Sequence, residues 1–371
     1  KRVGIGRYAY EILKHLFAEL RTQNSNPSKR EEVSVRVYIP NPPQADMPEE
    51  TEWWQYRVFK PRSLWTFIGL PLALWLDRPQ ADVVFSPTHY VPRFVATARV
   101  MSIMDLSYLE FPQMFRAKDL HQLVHWTAYS VRHAAKILTI SEFSKDAIIK
   151  AYGVEPTRIA VTYPGITMNS ELRTQNSSVL EKYHINRRYI LSVGTLQPRK
   201  NYNRLIEAFS RLVKQEKGFE DVELVIVGKK GWLYEEIFKA PRQFGVQDRV
   251  KFLEFVPDAD LAELYRNARC FALPSLYEGF GLPVLEAMVN KCPVVVSNVS
   301  SLPEIAGKAG LYVDPNDVSS IKDGLAKVLG ETEEERRRRI EEGLQQSRKF
   351  SWEKAARETL AVLEKVGKGR P

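Results

Sequence analysis

"YILSVGTLQPRKNYNRLIEAFSRLVKQ", residues 189–215, has the pattern of a strand, a loop and a helix in that order. Its first residues form a continuous apolar run, which is typical of a strand covered on both faces of a sheet. The later apolar residues recur with the period of one helical face; they are Leu205, Ile206, Phe209, Leu212 and Val213. The stretch therefore predicts one strand–loop–helix unit of an α/β fold.

The same unit recurs along the C-terminal half of the chain. Predicted strands are "VELVIVG" (222–228), "VKFLEFV" (250–256), "RCFALPS" (269–275) and "PVVVSNV" (293–299), and predicted helices between them are "WLYEEIFKAPRQF" (232–244) and "DADLAELYRNA" (258–268). Such alternation predicts a parallel sheet wrapped by helices. Residues 189–350 are therefore predicted to form one doubly wound domain.

The N-terminal half, residues 1–165, has the same rhythm and predicts a second doubly wound domain. Strands are expected at "VSVRVYIP" (33–40), "ADVVFSP" (81–87), "ARVMSIM" (98–104), "AKILTI" (135–140) and "RIAVTYP" (158–164), and helices at 7–20, 117–135 and 142–151. The opening residues run from a glycine turn straight into a helix, whereas a strand normally feeds such a turn. We therefore expect a strand upstream of residue 1. Residues 166–188 are polar and turn-rich, as in a linker.

Composition narrows the class of partner only slightly. The 371 residues carry a formal net charge of +9, which suits an anionic small molecule or an anionic membrane surface as well as nucleic acid. The sequence contains no recognisable nucleic-acid reading motif, so we expect no nucleic-acid partner. Cys270 and Cys292 are the only cysteines; they exclude a disulfide framework and predict free buried thiols in a reducing cytosol.

The most hydrophobic segment is "LWTFIGLPLALWL", residues 64–76. It is too short to cross a bilayer, and Gly69 and Pro71 interrupt it. We predict a buried or surface-docking helix here.

The loops after two predicted strands contain the candidate ligand-binding residues. Ligand sites of open parallel sheets lie outside the carboxyl ends of the strands. Arg199 and Lys200 follow the first strand of the C-terminal domain, while Gly279 and Gly281 precede a predicted helix start. A diphosphate suits this combination, because cations neutralise its oxygens and backbone N–H groups at a helix start donate to them.

Two carboxylates lie on either side of Gly279 and Gly281: Glu278 comes before them, and Glu286 comes eight residues after Glu278. Carboxylates are poor partners for phosphate, but they accept hydrogen bonds from sugar hydroxyls. A nucleotide sugar has a ribose and a hexose on either side of its diphosphate, so each glutamate would have a partner. The alternative is a solvated turn and a helix start whose dipole favours glutamate without any ligand.

The stretches "SVGTLQPRKNYNRLIEAF" (192–209), "LPSLYEGFGLPVLEAM" (273–288) and "PVVVSNVSSLPEIAGKAGLYVDPND" (293–317) resemble the donor-binding domain of the retaining nucleotide-sugar glycosyltransferases of family four. The resemblance extends to "GIGRYAYEILKHL", "DLSYLEFP", "ISEFSKDAIIKAYGV" and "FSWEKAARETLAVLEK", so it covers nearly the whole chain. It implies the GT-B fold: two facing Rossmann-like domains, with a C-terminal helix (351–371) crossing back to the N-terminal domain.

The resemblance also implies roles for individual residues. Arg199 and Lys200 would hold the donor diphosphate, Glu278 would contact the transferred sugar, and Glu286 would hold the ribose. The remaining donor-binding positions that it implies are glycines and backbone N–H donors: Gly4, Gly6, Gly194, Gly279, Phe280, Gly281 and Leu282.

One position departs from the family pattern. Where the family commonly has a His-Asp pair at the end of a strand, this chain has Met104 and Asp105. A thioether cannot donate a hydrogen bond. Either the role is dispensable here, or His89, at the end of the preceding predicted strand, takes it. The alternative is that His89 is only a surface or packing residue.

The resemblance predicts a retaining glycosyltransferase that moves a sugar, mannose or a related hexose, from a nucleoside diphosphate, GDP or UDP, to a hydroxyl of a saccharide or lipid-linked acceptor. We expect no cofactor beyond the nucleotide-sugar co-substrate and no metal, since the fixed cations Arg199 and Lys200 make a metal unnecessary. The expected location is the cytoplasm, with peripheral association at the inner membrane face. The alternative function is a catalytically weak nucleotide-sugar-binding protein that kept the fold.

Overall fold

A computed structural model of the chain describes residues 4–25, 33–60, 64–166 and 178–369. Most of the predicted linker, residues 167–177, lies outside these ranges. The described chain divides into two compact units. The first unit comprises residues 1–109, 117–165 and 351–371, and the second comprises residues 110–116 and 166–350.

Helices and strands alternate through both units. The helices are α1 (Ile5–Asn24), α2 (Leu70–Leu76), α3 (Ser107–Glu110), α4 (Ala117–His133), α5 (Glu142–Tyr152), α6 (Ser178–Lys182), α7 (Tyr202–Gln215), α8 (Glu235–Gln243), α9 (Asp258–Asn267), α10 (Leu282–Val289), α11 (Leu302–Ala306), α12 (Val318–Leu329), α13 (Glu333–Ser347) and α14 (Trp352–Lys368). The strands are β1 (Val35–Ile39), β2 (Trp54–Val58), β3 (Val83–Ser86), β4 (Ala98–Ile103), β5 (Lys136–Thr139), β6 (Ile159–Val161), β7 (Tyr189–Val193), β8 (Glu223–Val227), β9 (Val250–Leu253), β10 (Cys270–Leu273), β11 (Val294–Ser297) and β12 (Gly310–Val313).

The second unit contains a six-stranded parallel sheet in the order β12-β11-β10-β7-β8-β9. Strands β7, β8, β10 and β11 are buried along almost their whole length, as expected for a sheet with helices on both faces. Cys270 and Cys292 are both free and buried, which confirms the predicted state of the two thiols. The helix predicted at 232–244 begins only at Glu235, and strand β12 and helix α12 complete the domain.

The first unit contains a four-stranded parallel sheet in the order β3-β4-β5-β6. The strand predicted at 33–40 is present as β1, but in the described chain it pairs with β2 in a separate two-stranded parallel sheet, with Val35 opposite Trp54. Strand β2 was missed because its run, "WQYRV", mixes polar with aromatic residues. Among the described residues, β1 and β2 therefore lie outside the four-stranded sheet of this unit.

Helix α14 packs within the first unit, as the resemblance implied. Its neighbour is α1, and the rings of Tyr8 and Trp352 are 6.1 Å apart. Trp352 is fully buried. Gly165 is required where the chain passes this helix start, because a Cβ there would lie 2.0 Å from the Trp352 nitrogen. The C-terminal helix thus completes the fold of the unit that contains the N-terminal residues.

The apolar segment 64–76 forms one π-helical turn (Trp65–Gly69) followed by α2. Pro71, Ala73 and Leu74 are buried, while Leu72, Trp75 and Leu76 are exposed. The segment is therefore a half-buried surface helix, one of the two forms that its sequence predicted. No described helix has the length and apolar character needed to span a membrane.

Candidate active site

The ends of strands β7 and β8 approach each other closely at two glycines. The Gly194 amide donates to the Val227 carbonyl at 2.9 Å, and a Cβ on Gly228 would lie 1.9 Å from the Gly194 oxygen. No side chain fits between these backbones. The close approach brings the loop after β7 to the carboxyl edge of the sheet, which is where ligand sites of such sheets lie.

Arg199 and Lys200 occupy a short 3₁₀ turn, Pro198–Lys200, in that loop. The turn ends at Asn201, which has a left-handed φ of 62°. Asn201 is buried, and its side-chain nitrogen Nδ2 donates to the backbone carbonyl oxygens of Pro274 and Pro315 at 2.9 and 2.7 Å. These bonds hold the basic turn against the loops after β10 and β12.

Glu278 lies in the loop after β10, the strand that pairs with β7. Its carboxylate accepts a hydrogen bond from Lys200 Nζ at 2.5 Å and from Arg199 Nη1 at 3.2 Å. Ser275 Oγ donates to the same carboxylate at 2.7 Å. Lys200 and Glu278 are both more than nine-tenths buried. The structure thus brings Glu278 to two other predicted site residues, Arg199 and Lys200, which are 79 and 78 positions away in sequence.

The electrostatics of this cluster favour the ionised carboxylate. Burial by itself would raise the pKa of Glu278, but the charges of Lys200 and Arg199, with hydrogen bonds from Lys200 and Ser275, outweigh it and lower the pKa to about 2. The carboxylate is therefore charged at neutral pH. These three side chains together carry one net positive charge, which attracts an anion.

A pair of serines shapes the backbone around Glu278. Ser300 Oγ accepts from the Glu278 amide at 3.1 Å. Ser301 Oγ is within 2.9 Å of both the Glu278 and the Phe280 carbonyl oxygens. The sequence analysis did not single out Ser275, Ser300 or Ser301; the only signals were that Ser275 ends one predicted strand and that Ser300 and Ser301 directly follow another.

Helix α10 begins at Leu282, with Gly281 before it at a left-handed φ of 102°. A Cβ on Gly281 would lie 2.8 Å from Leu302 Cδ2, so glycine is required twice over. Glu278 therefore lies in the loop before α10, together with Gly279 and Phe280. Glu286 lies on the helix itself, so the two glutamates do not share one helix.

Glu286 lies in the second turn of α10. Its Oε2 accepts a hydrogen bond from the Tyr265 hydroxyl at 3.1 Å. Tyr265 belongs to α9 and is fully buried. No local pattern indicates this contact, because its two partners lie on two helices separated by a strand.

The segment Glu110–Arg116 is part of the second unit. The ring of Phe111 lies 6.2 Å from that of Tyr277, the residue before Glu278. The Trp232 indole donates to the Met114 carbonyl, and its ring lies 5.7 Å from that of Phe115. The sequence analysis missed these aromatic contacts, and the one between Phe111 and Tyr277 lies directly beside Glu278.

The remaining predicted residues lie in the first unit. Gly4 precedes α1 at a left-handed φ of 54°, and its carbonyl accepts from Arg7 and Tyr8; Gly6 is in the first helical turn. Asp105 Oδ1 accepts from both the amide and the hydroxyl of Ser107 at the start of α3. These two hydrogen bonds from Ser107 place the Asp105 carboxylate at the start of α3.

His89 and Met104 contact each other. The Met104 amide donates to His89 Nε2 at 3.2 Å, and both side chains are buried. Burial lowers the pKa of His89, although the nearby Asp105 charge acts in the opposite direction. Within the described residues, His89 Nδ1 has no hydrogen-bond partner. His89 is therefore a buried, neutral histidine, a setting that fits a packing role as well as a functional one.

Metal-binding side chains do not gather in the described part of the chain: no group of three or more His, Cys, Asp or Glu is arranged to hold an ion.

Two units built on parallel sheets, with the C-terminal helix α14 in the N-terminal unit, are the features of the GT-B fold. The structure of sucrose-phosphate synthase from Thermosynechococcus elongatus has the same fold, with a TM-score of 0.73 at 17% identity over 99% of this chain and 94% of that one. Two family models match: "Glycosyltransferase Family 4" at residues 4–169 and "Glycosyl transferases group 1" at residues 179–346. The chain belongs to glycosyltransferase family 4.

Two curated relatives come from Escherichia coli. O-antigen chain mannosyltransferase B is 34% identical over 312 residues, which cover 82% of this chain and 78% of the relative. Serotype-specific mannosyltransferase WbdA is 32% identical over 231 residues, 62% of this chain. The match spans only 27% of WbdA, so that protein is much longer than the part it shares.

Proposed function

We propose that this protein is a retaining glycosyltransferase that moves a hexose, with mannose as the first candidate, from a nucleoside diphosphate to a hydroxyl of a saccharide or lipid-linked acceptor. One observation carries the proposal. Lys200 and Arg199 meet the Glu278 carboxylate at the carboxyl ends of the adjacent strands β7 and β10.

Stabilisation of the leaving group would be the main catalytic contribution. When the bond between the donor C1 and the phosphate oxygen breaks, its electron pair stays on the diphosphate. Arg199 and Lys200 would neutralise this developing charge, and their partly buried setting makes the attraction stronger than in water. The acceptor oxygen forms the new bond to C1, and its proton goes to an oxygen of the departing diphosphate.

Glu278 has two suitable properties for the transferred sugar. Its low pKa keeps it an acceptor for sugar hydroxyls at neutral pH, and its bonds to Ser275, Lys200 and Arg199 fix its orientation. Glu286 is held by Tyr265 and would accept from the ribose hydroxyls. We propose that fixed cations replace a metal in this reaction and that no further cofactor takes part.

The choice of mannose rests on the names of both Escherichia coli relatives, which are mannosyltransferases. The first is also named for an O-antigen chain, which supports a saccharide acceptor. GDP and UDP both remain candidate carriers of the sugar.

A panel of nucleotide sugars tests this proposal. We expect one donor to raise the melting temperature, since a ligand at about 100 times its Kd adds about 2.7 kcal/mol of stability. That donor should then support transfer with α-linked product from an α-linked donor, in excess EDTA, as read by NMR. An inverted product or a strict metal requirement would contradict the mechanism.

A second candidate function is a nucleotide-sugar-binding protein with weak catalysis. Met104 favours it, because it replaces a hydrogen-bonding residue common in the family. Donor-induced stabilisation with neither transfer nor slow donor hydrolysis would support this candidate. Measurable turnover with any acceptor would exclude it.

A further inference from the structure

Gln197 is a buried residue directly before the basic turn of the candidate active site. It precedes the 3₁₀ turn Pro198–Lys200 in extended backbone, with φ and ψ of −155° and 155°, and it is only 3% exposed. A buried side-chain amide costs free energy unless its polar atoms have hydrogen-bond partners. The partners of this amide therefore decide what Gln197 does in the site.

The side chain of Gln197 binds Arg199, two residues further along the chain. Its oxygen accepts hydrogen bonds from Arg199 Nε at 2.9 Å and from Arg199 Nη2 at 3.1 Å. The opposite orientation of the amide would point its NH₂ group at two N–H donors, which cannot bond to each other. One oxygen of Gln197 therefore binds a whole edge of the guanidinium group.

The loop that contains Glu278 binds the same guanidinium group at a second place. Arg199 Nη1 donates to the Tyr277 carbonyl at 2.9 Å and to the Glu278 carboxylate at 3.2 Å. The backbone of Arg199 is held as well, because its carbonyl accepts from the Leu276 amide at 2.8 Å. Since the guanidinium group is planar and rigid, contacts at two of its sides fix both its position and its plane.

Gln197 holds Arg199 without offsetting its charge. Glu278 forms ion pairs with both Arg199 and Lys200, so the three side chains together keep one positive charge. The Gln197 amide is neutral and leaves this charge unchanged. The orientation of Arg199 and the attraction of the site for an anion are therefore supplied by different residues.

We propose that Gln197 is a positioning residue of the donor site, which holds the Arg199 guanidinium group in the orientation that receives the donor diphosphate. The inference rests on the proposed function, in which Arg199 neutralises the departing diphosphate. A long side chain loses rotamer freedom when it is fixed on a ligand, and Gln197 imposes that order before the donor binds. A preorganised cation then stabilises developing charge without rearranging during the reaction.

A double-mutant cycle between Gln197 and Arg199 tests the proposal, with kcat/KM for the donor as the measurement. Gln197→Leu removes the acceptor and keeps a side chain of similar bulk. It should lower kcat/KM about tenfold or more, because a misplaced group loses much of its effect on the reaction. In the Arg199→Ala background the same change should alter kcat/KM less than about twofold, since the residue that Gln197 positions is gone.

Gln346→Leu is the matched control. Gln346 belongs to the same unit, and its side-chain nitrogen donates to the Glu304 and Ile305 carbonyls at 3.2 and 3.1 Å. The control therefore also removes two hydrogen bonds of a partly buried glutamine. It should lower the melting temperature and leave kcat/KM for the donor unchanged. The melting temperature of every variant separates lost positioning from lost folding.

A measurement without turnover separates this proposal from the proposed function. The Arg199 Nε–H group is held in a hydrogen bond, so its proton should exchange slowly with water. It should give a proton–nitrogen NMR signal that Arg199→Lys removes. Gln197→Leu should abolish this signal, whereas Gln197→Glu should keep it, because a carboxylate oxygen accepts the same two hydrogen bonds.

Three results would overturn the proposal: no Arg199 signal in the wild type, wild-type kcat/KM in Gln197→Leu, or the same fold-loss from Gln197→Leu with and without Arg199. The third result would make Gln197 a purely structural residue. An Arg199 signal that depends on Gln197, in a protein that neither binds nor uses any nucleotide sugar, would contradict the proposed function instead, and Gln197 would still orient Arg199.

Discussion

The backbone amide of Met104 donates a hydrogen bond to Nε2 of His89 at 3.2 Å. Because Nε2 is the acceptor, the proton of the neutral ring is on Nδ1. The bond uses the main chain of Met104, so a new side chain at position 104 can keep it. The residue that departs from the family pattern therefore orients the only histidine that the sequence analysis offered in its place.

The first prediction concerns the transfer rate of a double-mutant cycle at these two positions. We expect His89→Ala to lower the rate roughly two- to tenfold, the worth of one ordinary hydrogen bond. Met104→His should raise the rate by a comparable factor, and the loss on His89→Ala should be smaller in that background because two groups serving one function are not additive.

Met104→Leu is the control for this cycle, since it keeps the backbone amide and an apolar side chain. It should transfer at the wild-type rate. Equal rates in all four proteins of the cycle would leave Met104 as packing and His89 as a structural histidine.

His89 also predicts a pH dependence of folding stability. Burial lowers its pKa from the ordinary 6.5, so below that pH the unfolded chain binds a proton that the folded chain excludes. Stability from this group is therefore complete above pH 6.5 and falls as the pH drops towards the lowered pKa. His89→Gln should lose less stability than the wild type between pH 7 and pH 5 in urea unfolding.

The exposed His121 on α4 supplies the control, because His121→Gln should follow the wild-type pH profile. If His89→Gln also follows the wild type, His89 is not the buried neutral group that the structure describes.

Replacing both cations of the donor site should disable the enzyme. Each charge-assisted contact contributes roughly 1.5–3 kcal/mol, so Arg199→Ala with Lys200→Ala should lower kcat/KM for the donor by roughly 10²- to 10⁴-fold. The change also leaves the Glu278 carboxylate buried without its cations. Adding Glu278→Gln to the pair should restore stability but not donor use.

The control for this variant is Arg188→Ala, which removes an exposed ion pair with Asp221. We expect nearly unchanged kinetics and stability from it, since exposed pairs contribute about 0–1 kcal/mol. Donor affinity like that of the wild type in the Arg199/Lys200 variant would refute the phosphate assignment.

Glu278→Gln should destabilise the protein by about 3–5 kcal/mol, because it leaves Lys200 buried without its counter-ion. The lowered pKa of about 2 means that wild-type stability from this carboxylate is complete above pH 4.5 and is lost as the pH falls towards 2. The variant should lack this part of the acid dependence.

A nucleoside diphosphate should stabilise the Glu278→Gln variant at least as much as the wild type, since phosphate supplies the missing negative charge. Thermal shift with GDP and UDP measures this. A variant that loses its nucleotide response altogether would indicate that Arg199 and Lys200 serve only the ion pair. Glu236→Gln, at an exposed pair with Lys239, is the matched control.

Much of the fold is readable from local patterns in the sequence. The helix predicted from the opening stretch spans Tyr202–Gln215 in the structure, because its apolar residues repeat with a period that only one regular conformation satisfies. Strands β7, β8, β10 and β11 lie inside their predicted runs. Arg199, Lys200 and Glu278 were candidate site residues for the same reason: each follows an apolar strand.

Only the tertiary structure decided which of these residues meet. The order of the six-stranded sheet makes β7 and β10 neighbours, and this pairing joins Lys200 to Glu278 across 78 positions. Strand β2, paired with β1, lacks the apolar run that marks the others. Partners such as Tyr265 and Ser300 belong to elements remote in sequence, and a periodic pattern specifies a local conformation but not the neighbours that long-range packing brings to it.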